Sequence, residues 1–226
     1  MVFEETRVPP TLFSGEAHVW KANLDESLSL DDRSLLSDAE LARGDRLRNP
    51  VHSLRFVARH ALVRRLLSAY IGIEPNEIAF AESPTGKPAL AGDAWTAGWR
   101  FNVSDSEGRC LVAIARGVEV GIDVQAIRPI DDLSALAREV LADDELGDLL
   151  ALPDDRRPEA FFRLWVQKEA IVKATGEGLA RPLRTVRAGT GEGGKWMLAW
   201  SEIEDGFASA LVTRELPVRV RLLRLR

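Results

Sequence analysis

Along this chain the apolar positions alternate between a strand period and a helix period, and that alternation predicts the elements. In EAHVWKANL (16–24), His18, Trp20 and Ala22 alternate against Val19 and Lys21, which predicts a short strand. Ser37-Asp38-Ala39-Glu40 is a capping box that opens a helix, with Arg43, Arg46 and Arg48 following in it. A stronger helix is predicted over 53–70, where Leu54, Val57, Ala61, Leu62, Leu66 and Leu67 fall at helical spacing and Gly72 closes the run. Glu77–Ala81 reads as a strand and SPTGKPAL (83–90) as a turn-rich loop. Two further strands, Trp99–Val103 and Cys110–Ala115, flank the turn SDSEG.

The remainder repeats this order. Val118–Val124 predicts a strand, 131–151 and 158–174 predict helices, and Trp196–Trp200, Phe207–Val212 and Val218–Leu225 predict three strands. A strand, helices, then strands therefore occur twice, without a residue-level repeat. The expected fold is α+β, two similar halves of residues 1–116 and 117–226 that meet near Gly117. The cleft between such halves is the natural place for a ligand.

Composition narrows the function classes. With 46% apolar residues the chain can bury a substantial core, and 30 basic against 35 acidic residues give a net charge of −5, which argues against nucleic acid as the main partner. The single cysteine, Cys110, permits no intrachain disulfide and points to a reducing compartment. No signal pattern opens the chain and no apolar run approaches the roughly 18 residues of a membrane span, so the expectation is a cytoplasmic protein with no membrane role. Three scattered histidines make no zinc site, and no GxSxG or Cys/His catalytic pattern is present.

Candidate chemistry concentrates in a few segments. On the helix FFRLWVQKEAIVKATGEG (161–178), Trp165, Glu169 and Lys173 lie one above another, with Lys168 beside them. Glu169 and Lys173 are either a functional constellation or an ordinary helix-stabilising surface pair. In VEVGIDVQ (118–125), period-two alternation puts Glu119, Gly121, Asp123 and Gln125 on one face. That face is either a half-exposed polar surface or a set of oxygen donors suited to a hard cation such as Mg²⁺, and Gly121 leaves room for a close approach. The GKP turn at 86–88 and the segment FNVSDSE (101–107) are candidate phosphate contacts or plain loop formers. Read jointly, these pieces fit metal-assisted phosphoryl transfer.

The order LSDAELAR, TGKP, FNVSDS, VGIDVQ and WVQKEAIVKATGEGL resembles the Sfp-type 4′-phosphopantetheinyl transferases over about Arg43 to Leu179. The resemblance implies a pseudo-twofold α+β fold with the active site in the cleft between its halves. It implies transfer of the 4′-phosphopantetheine of coenzyme A to a serine of an acyl or peptidyl carrier protein, with release of adenosine 3′,5′-bisphosphate. It also assigns roles. Asp123 and Glu169 would hold Mg²⁺, with Gln125 at a third position often occupied by an acid. Glu169 would be the base, Lys173 would serve the leaving phosphate, and Lys168 would assist. Arg43 would contact coenzyme A, and Thr85, Gly86, Lys87 and Pro88 would cover its nucleotide. Asn102, Ser104 and Asp105 would form the phosphate loop, with Arg59 nearby in the arginine helix. On this division the first half carries the nucleotide contacts and the second the metal and catalytic residues.

Two departures stand out. The family commonly places histidine where this chain has Asp105, and a carboxylate there repels a pyrophosphate unless it turns away, is protonated or joins the metal shell. Gln125 replaces the acid. These motivate one alternative, a non-catalytic relative that binds coenzyme A or a carrier protein. Because both halves lie in one chain, a monomer is expected.

Overall fold

In the computed structural model the described residues are 3–26, 31–82, 86–178, 181–189, 196–214 and 219–225. In chain order they form β1 (Glu4–Thr6), β2 (Glu16–Asn23), α1 (Asp38–Asp45), α2 (Pro50–Ile71), β3 (Phe80–Glu82), β4 (Pro88–Leu90), α3 (Gly92–Thr96), β5 (Trp99–Ser106), β6 (Arg109–Arg116), β7 (Val120–Ala126), α4 (Leu133–Val140), α5 (Asp143–Ala151), α6 (Arg157–Thr175), β8 (Trp196–Glu204), β9 (Phe207–Arg214) and β10 (Arg219–Leu225). Short 3₁₀ turns fill several links.

Local chemistry sets the helix ends. The expected capping box forms: Ser37 Oγ accepts from Glu40 N at 3.3 Å and Glu40 Oε2 accepts from Ser37 N at 2.8 Å. Asn49 Oδ1 accepts from Val51 N at 2.9 Å and Pro50 supplies the first helical φ, so α2 starts three residues earlier than the apolar period suggests. Arg46 and Arg48 therefore fall in the link after α1 rather than inside it. Gly72 ends α2 with φ of +71°. The strand expected at Glu77–Ala81 is displaced, because Pro75–Glu77 takes a 3₁₀ turn; the strand is β3, and it pairs with β4 inside what reads as a loop.

Each half has the same topology. In the first, β2 pairs with β6 and β6 with β5, all antiparallel, with α2 between β2 and β5 in sequence. In the second, β7 pairs with β9 and β9 with β8, again antiparallel, with α6 between β7 and β8. Helix α2 packs Ala58, Leu62 and Leu66 onto Trp20, Val112 and Ile114, and α6 packs Phe161, Ala170 and Ile171 onto Ala208, Ala210 and Val212. Between the sheets a third core joins Val19, Leu111 and Ala113 to Val120, Ile122, Val124 and Leu211. The layers thus run α2, first sheet, second sheet, α6, as burial of both faces of each sheet requires.

One strand breaks the symmetry. β10 pairs in parallel with both β2 and β1, giving a five-stranded sheet in the order β1-β10-β2-β6-β5. A division at 116/117 therefore assigns a strand of the first sheet to the second segment. The free edge of β2 needs a partner, and β10 supplies one while burying Leu222 and Leu223.

Candidate active site

The two halves meet edge to edge at β5 and β7, joined by side chains instead of a backbone ladder. Asn102 Oδ1 accepts from Ile122 N at 2.8 Å, Ser104 Oγ from Val124 N at 3.3 Å, and Ser106 Oγ from Ala126 N at 3.0 Å. Alternate residues of β5 thus satisfy alternate amides of β7, one consequence of the period-two geometry.

Asp123 lies beside this seam and is 1% exposed. Its Oδ1 accepts from Ser104 Oγ at 2.7 Å and from Lys173 Nζ at 2.6 Å. Lys173 also donates to Ser104 Oγ at 2.9 Å. The serine hydroxyl, with one donor and two acceptor sites, is saturated. Asp123 Oδ2 is buried and has no partner among the described residues. Glu169, one turn before Lys173 on α6, is half-buried. Burial first, and then the Asp123 carboxylate, push its carboxyl above the ordinary value, against the opposing pull of Lys173.

Gly121 makes this proximity possible. A Cβ there would lie 2.0 Å from the carbonyl oxygen of Ala170 and 2.8 Å from the Ala174 Cβ. The close approach read from the sequence is therefore made by α6. The polar face of β7 looks onto that helix and the cleft, and at Asp123 it is buried, not half-exposed to water. An orphaned carboxylate oxygen next to a second carboxylate suits a hard cation that takes one or two protein oxygens and completes its shell with water and phosphate. Among the described residues no three His, Cys, Asp or Glu converge, so such an ion would rest on Asp123 and Glu169. Gln125 lines two neighbouring cavities.

Other residues singled out by sequence take different positions. Lys168 does not join the cluster. It is fully buried, its Nζ 2.5 Å from Glu145 Oε2 and donating to Val140 O at 2.9 Å and Leu183 O at 3.3 Å. Neighbours on a helix point about 100° apart, so the residue before Glu169 faces α4 and α5. Lys87 donates to Val120 O at 3.2 Å and Ala174 O at 3.4 Å, tying its loop to β7 and the carbonyl end of α6. Burial, opposed by Glu119, lowers its ammonium's proton affinity. Its tip is thus engaged by backbone carbonyls of β7 and α6. Asn102 and Ser104 are held by the seam instead of being presented as free phosphate donors. Arg43 and Pro88 line a cavity of about 680 Å³ that Arg59 also reaches, Gly86, two residues before Pro88, is exposed with φ of +82°, and Thr85 lies outside the described residues. Asp105 turns away from Asp123, because alternation on β5 points it opposite to Ser104, and Arg59 Nη1 donates to its Oδ1 at 2.9 Å. Trp165 packs on Phe161 with ring centroids 5.6 Å apart.

Comparison with known proteins bears on this geometry. The 4′-phosphopantetheinyl transferase superfamily model matches residues 119–216, which include Asp123, Glu169 and Lys173. The 4′-phosphopantetheinyl transferase HetI of a Nostoc strain is 40% identical over 177 residues, covering 76% of this chain and 75% of that protein. The chain belongs to the 4′-phosphopantetheinyl transferase superfamily. Further relatives of this enzyme are the transferase psf-1 of Bacillus pumilus, 31% identical over 72% of this chain and 67% of its own length, and Sfp of Bacillus subtilis, 32% identical over 54% and 52%. Among solved structures, a Thermotoga maritima holo-[acyl-carrier-protein] synthase matches 43% of this chain and 63% of its own at 28% identity and a TM-score of 0.33. That overlap is too partial to bear on the fold, which stands on the topology above. The phosphopantetheinyl transferase thus carries its acidic pair and Lys173 inside the matched region, with the Asn102–Ser104–Ser106 seam upstream. Ser106 went unremarked in the sequence, although the alternation Asn102, Ser104, Ser106 was its signal.

Proposed function

We propose that this transferase moves the 4′-phosphopantetheine of coenzyme A to a serine of an acyl or peptidyl carrier protein, with Mg²⁺ held by Asp123 and Glu169. The observation that carries this is the buried, unpartnered Oδ2 of Asp123 beside the half-buried Glu169. When bound, Mg²⁺ would supply charge neutralisation at the pyrophosphate. Glu169, half-buried beside Asp123, takes the proton of the carrier serine. The serine oxygen forms its bond to the β-phosphorus as the bond from that phosphorus to the phosphoadenosine oxygen breaks. Lys173 stabilises the charge that develops on the departing adenosine 3′,5′-bisphosphate, and Ser104 and Asp123 hold its ammonium in place. Arg43, Arg59, Gly86 and Pro88 border the nucleotide end of coenzyme A, and Gln125, on the Asp123 face of β7, is the third position near the ion.

Two properties complete the reading. The seam and the acidic pair are assembled within one chain, which supports a monomer. The lone buried Cys110 suits the reducing cytoplasm, and no helix among the described residues is long and apolar enough to cross a membrane.

The test is intact-mass analysis of apo acyl and peptidyl carriers incubated with the full chain and coenzyme A. The expected result is a gain of one phosphopantetheine that needs Mg²⁺, stops on chelation and is lost in Glu169→Gln. No gain on any carrier of a broad panel would overturn the reading.

A further inference from the structure

Two cavities, one in the first half and one between the halves, share Arg59 in their lining. The cavity of about 680 Å³ is lined by Arg43, Arg59, Phe80 and Pro88, among others. A second, of about 450 Å³, is lined by Arg59, Asp105, Gln125 and Arg128. Arg59 borders both, and Asp105 holds it there at 2.9 Å, with the two side chains 31% and 28% exposed.

The charges around this junction are unevenly engaged. Glu40, in the larger cavity, is taken by Arg64 at 2.8 Å, and Glu107, in the smaller, lies 3.7 Å from Arg55. Arg43 and Arg128 form no ion pair among the described residues. An anion entering the junction would meet Arg59, with Arg43 lining the larger cavity and Arg128 the smaller, and would compete with the carboxylate of Asp105 for Arg59. A half-exposed ion pair is weak, and a phosphate dianion offers Arg59 more charge and more acceptor oxygens than a carboxylate does.

We propose that Asp105 is a displaceable stand-in for a substrate phosphate: it holds Arg59 across the junction of the two cavities, the phosphates of coenzyme A displace it, and it thereby sets the enzyme's affinity for coenzyme A. This rests on the transferase reading. Asp105 is then a positioning residue that acts through Arg59. It keeps the guanidinium extended toward the junction when no ligand is bound, at the cost of weaker binding when one arrives.

The experiment is calorimetric titration of the full chain with coenzyme A, and separately with adenosine 3′,5′-bisphosphate, without any carrier protein. Asp105→Asn is expected to bind about five-fold tighter than wild type, since it removes the competitor. In steady-state assays the gain falls on KM for coenzyme A. Arg59→Met is expected to bind more weakly, and the double variant no more tightly than Arg59→Met alone. Asp105→Glu, which keeps the pair, restores the wild-type affinity. Asp105→Ser repeats the test if the Asn variant melts early. Unchanged or weaker binding by folded Asp105→Asn and Asp105→Ser overturns the latch, and leaves the transferase reading intact if carrier is still modified. A wild type that neither binds coenzyme A nor modifies carrier overturns both.

Discussion

Gly121 and Ala170 touch backbone to backbone, so closely that a Cβ on Gly121 would fall 2.0 Å from the Ala170 carbonyl oxygen. That contact presses α6 onto β7 and brings Lys173 to Asp123. The helix backbone cannot yield as a flexible side chain could. Gly121→Ala is therefore expected to cost about 3 kcal/mol and to abolish transfer by shifting Glu169 and Lys173. Urea unfolding with a carrier mass assay checks both; a variant with wild-type stability and activity would refute the packing argument.

Ser104 does three things at once, donating to Asp123 and accepting from Val124 N and Lys173. Ser104→Ala leaves a buried amide unpaired, for which about 1–3 kcal/mol of stability is expected to be lost. Lys173 also loses one of its two anchors, so kcat should fall more than affinity for coenzyme A. Melting curves and a comparison of kcat with KM measure the two effects.

Lys168 is expected to matter for stability alone. Its ammonium is buried against Glu145, and truncation would leave that carboxylate without its cation at about 3–5 kcal/mol. Lys168→Met should melt early, and adding Glu145→Gln should recover part of the loss. The folded fraction of the double variant is expected to keep carrier modification, and its failure to do so would return Lys168 to the catalytic set.

His18 gives the fold an acid-side weakness. Burial, and then Arg221, lower its pKa from 6.5 to about 4, against Glu16 and Glu4. Its Nδ1 pairs with Tyr70 Oη at 2.6 Å while Nε2 is buried without a hydrogen-bond partner. Between pH 6.5 and about 4 the unfolded chain binds a proton that the folded chain refuses, so this contribution to stability is complete above 6.5 and is lost as pH falls through that window. The loss is expected to be about 2 kcal/mol after allowance for solvent screening. Denaturation midpoints at pH 7 and pH 4.5 should show a smaller drop in His18→Gln than in wild type.

Much of this was legible along the chain. The repeated strand–helix–strand order appears as two halves of matching topology, and period-two reading put Asp123 and Gly121 on one face of β7. Period-3.6 reading put Glu169 above Lys173 on α6 for the same reason: local backbone geometry fixes which side chains share a face. Lys168 misled because adjacency in sequence was read as adjacency at the site, and on a helix it is nearly the opposite. The carbonyl contacts of Lys87 were not legible, because an exposed-looking turn says nothing of where a flexible ammonium finds its acceptors. β10 was read as closing the second half because pairing between distant strands depends on which sheet edge is free.

By itself the sequence determined most of the longer elements and the faces that Asp123, Glu169 and Lys173 occupy, since these follow from local periodicity and residue chemistry. Tertiary structure decided what those faces meet. It buried Asp123 on the polar side of β7, made α6 the partner of Gly121, joined β10 to the first sheet, and aimed Asp105 at Arg59. Those outcomes depend on packing and charge pairing between segments tens of residues apart, which no local pattern encodes.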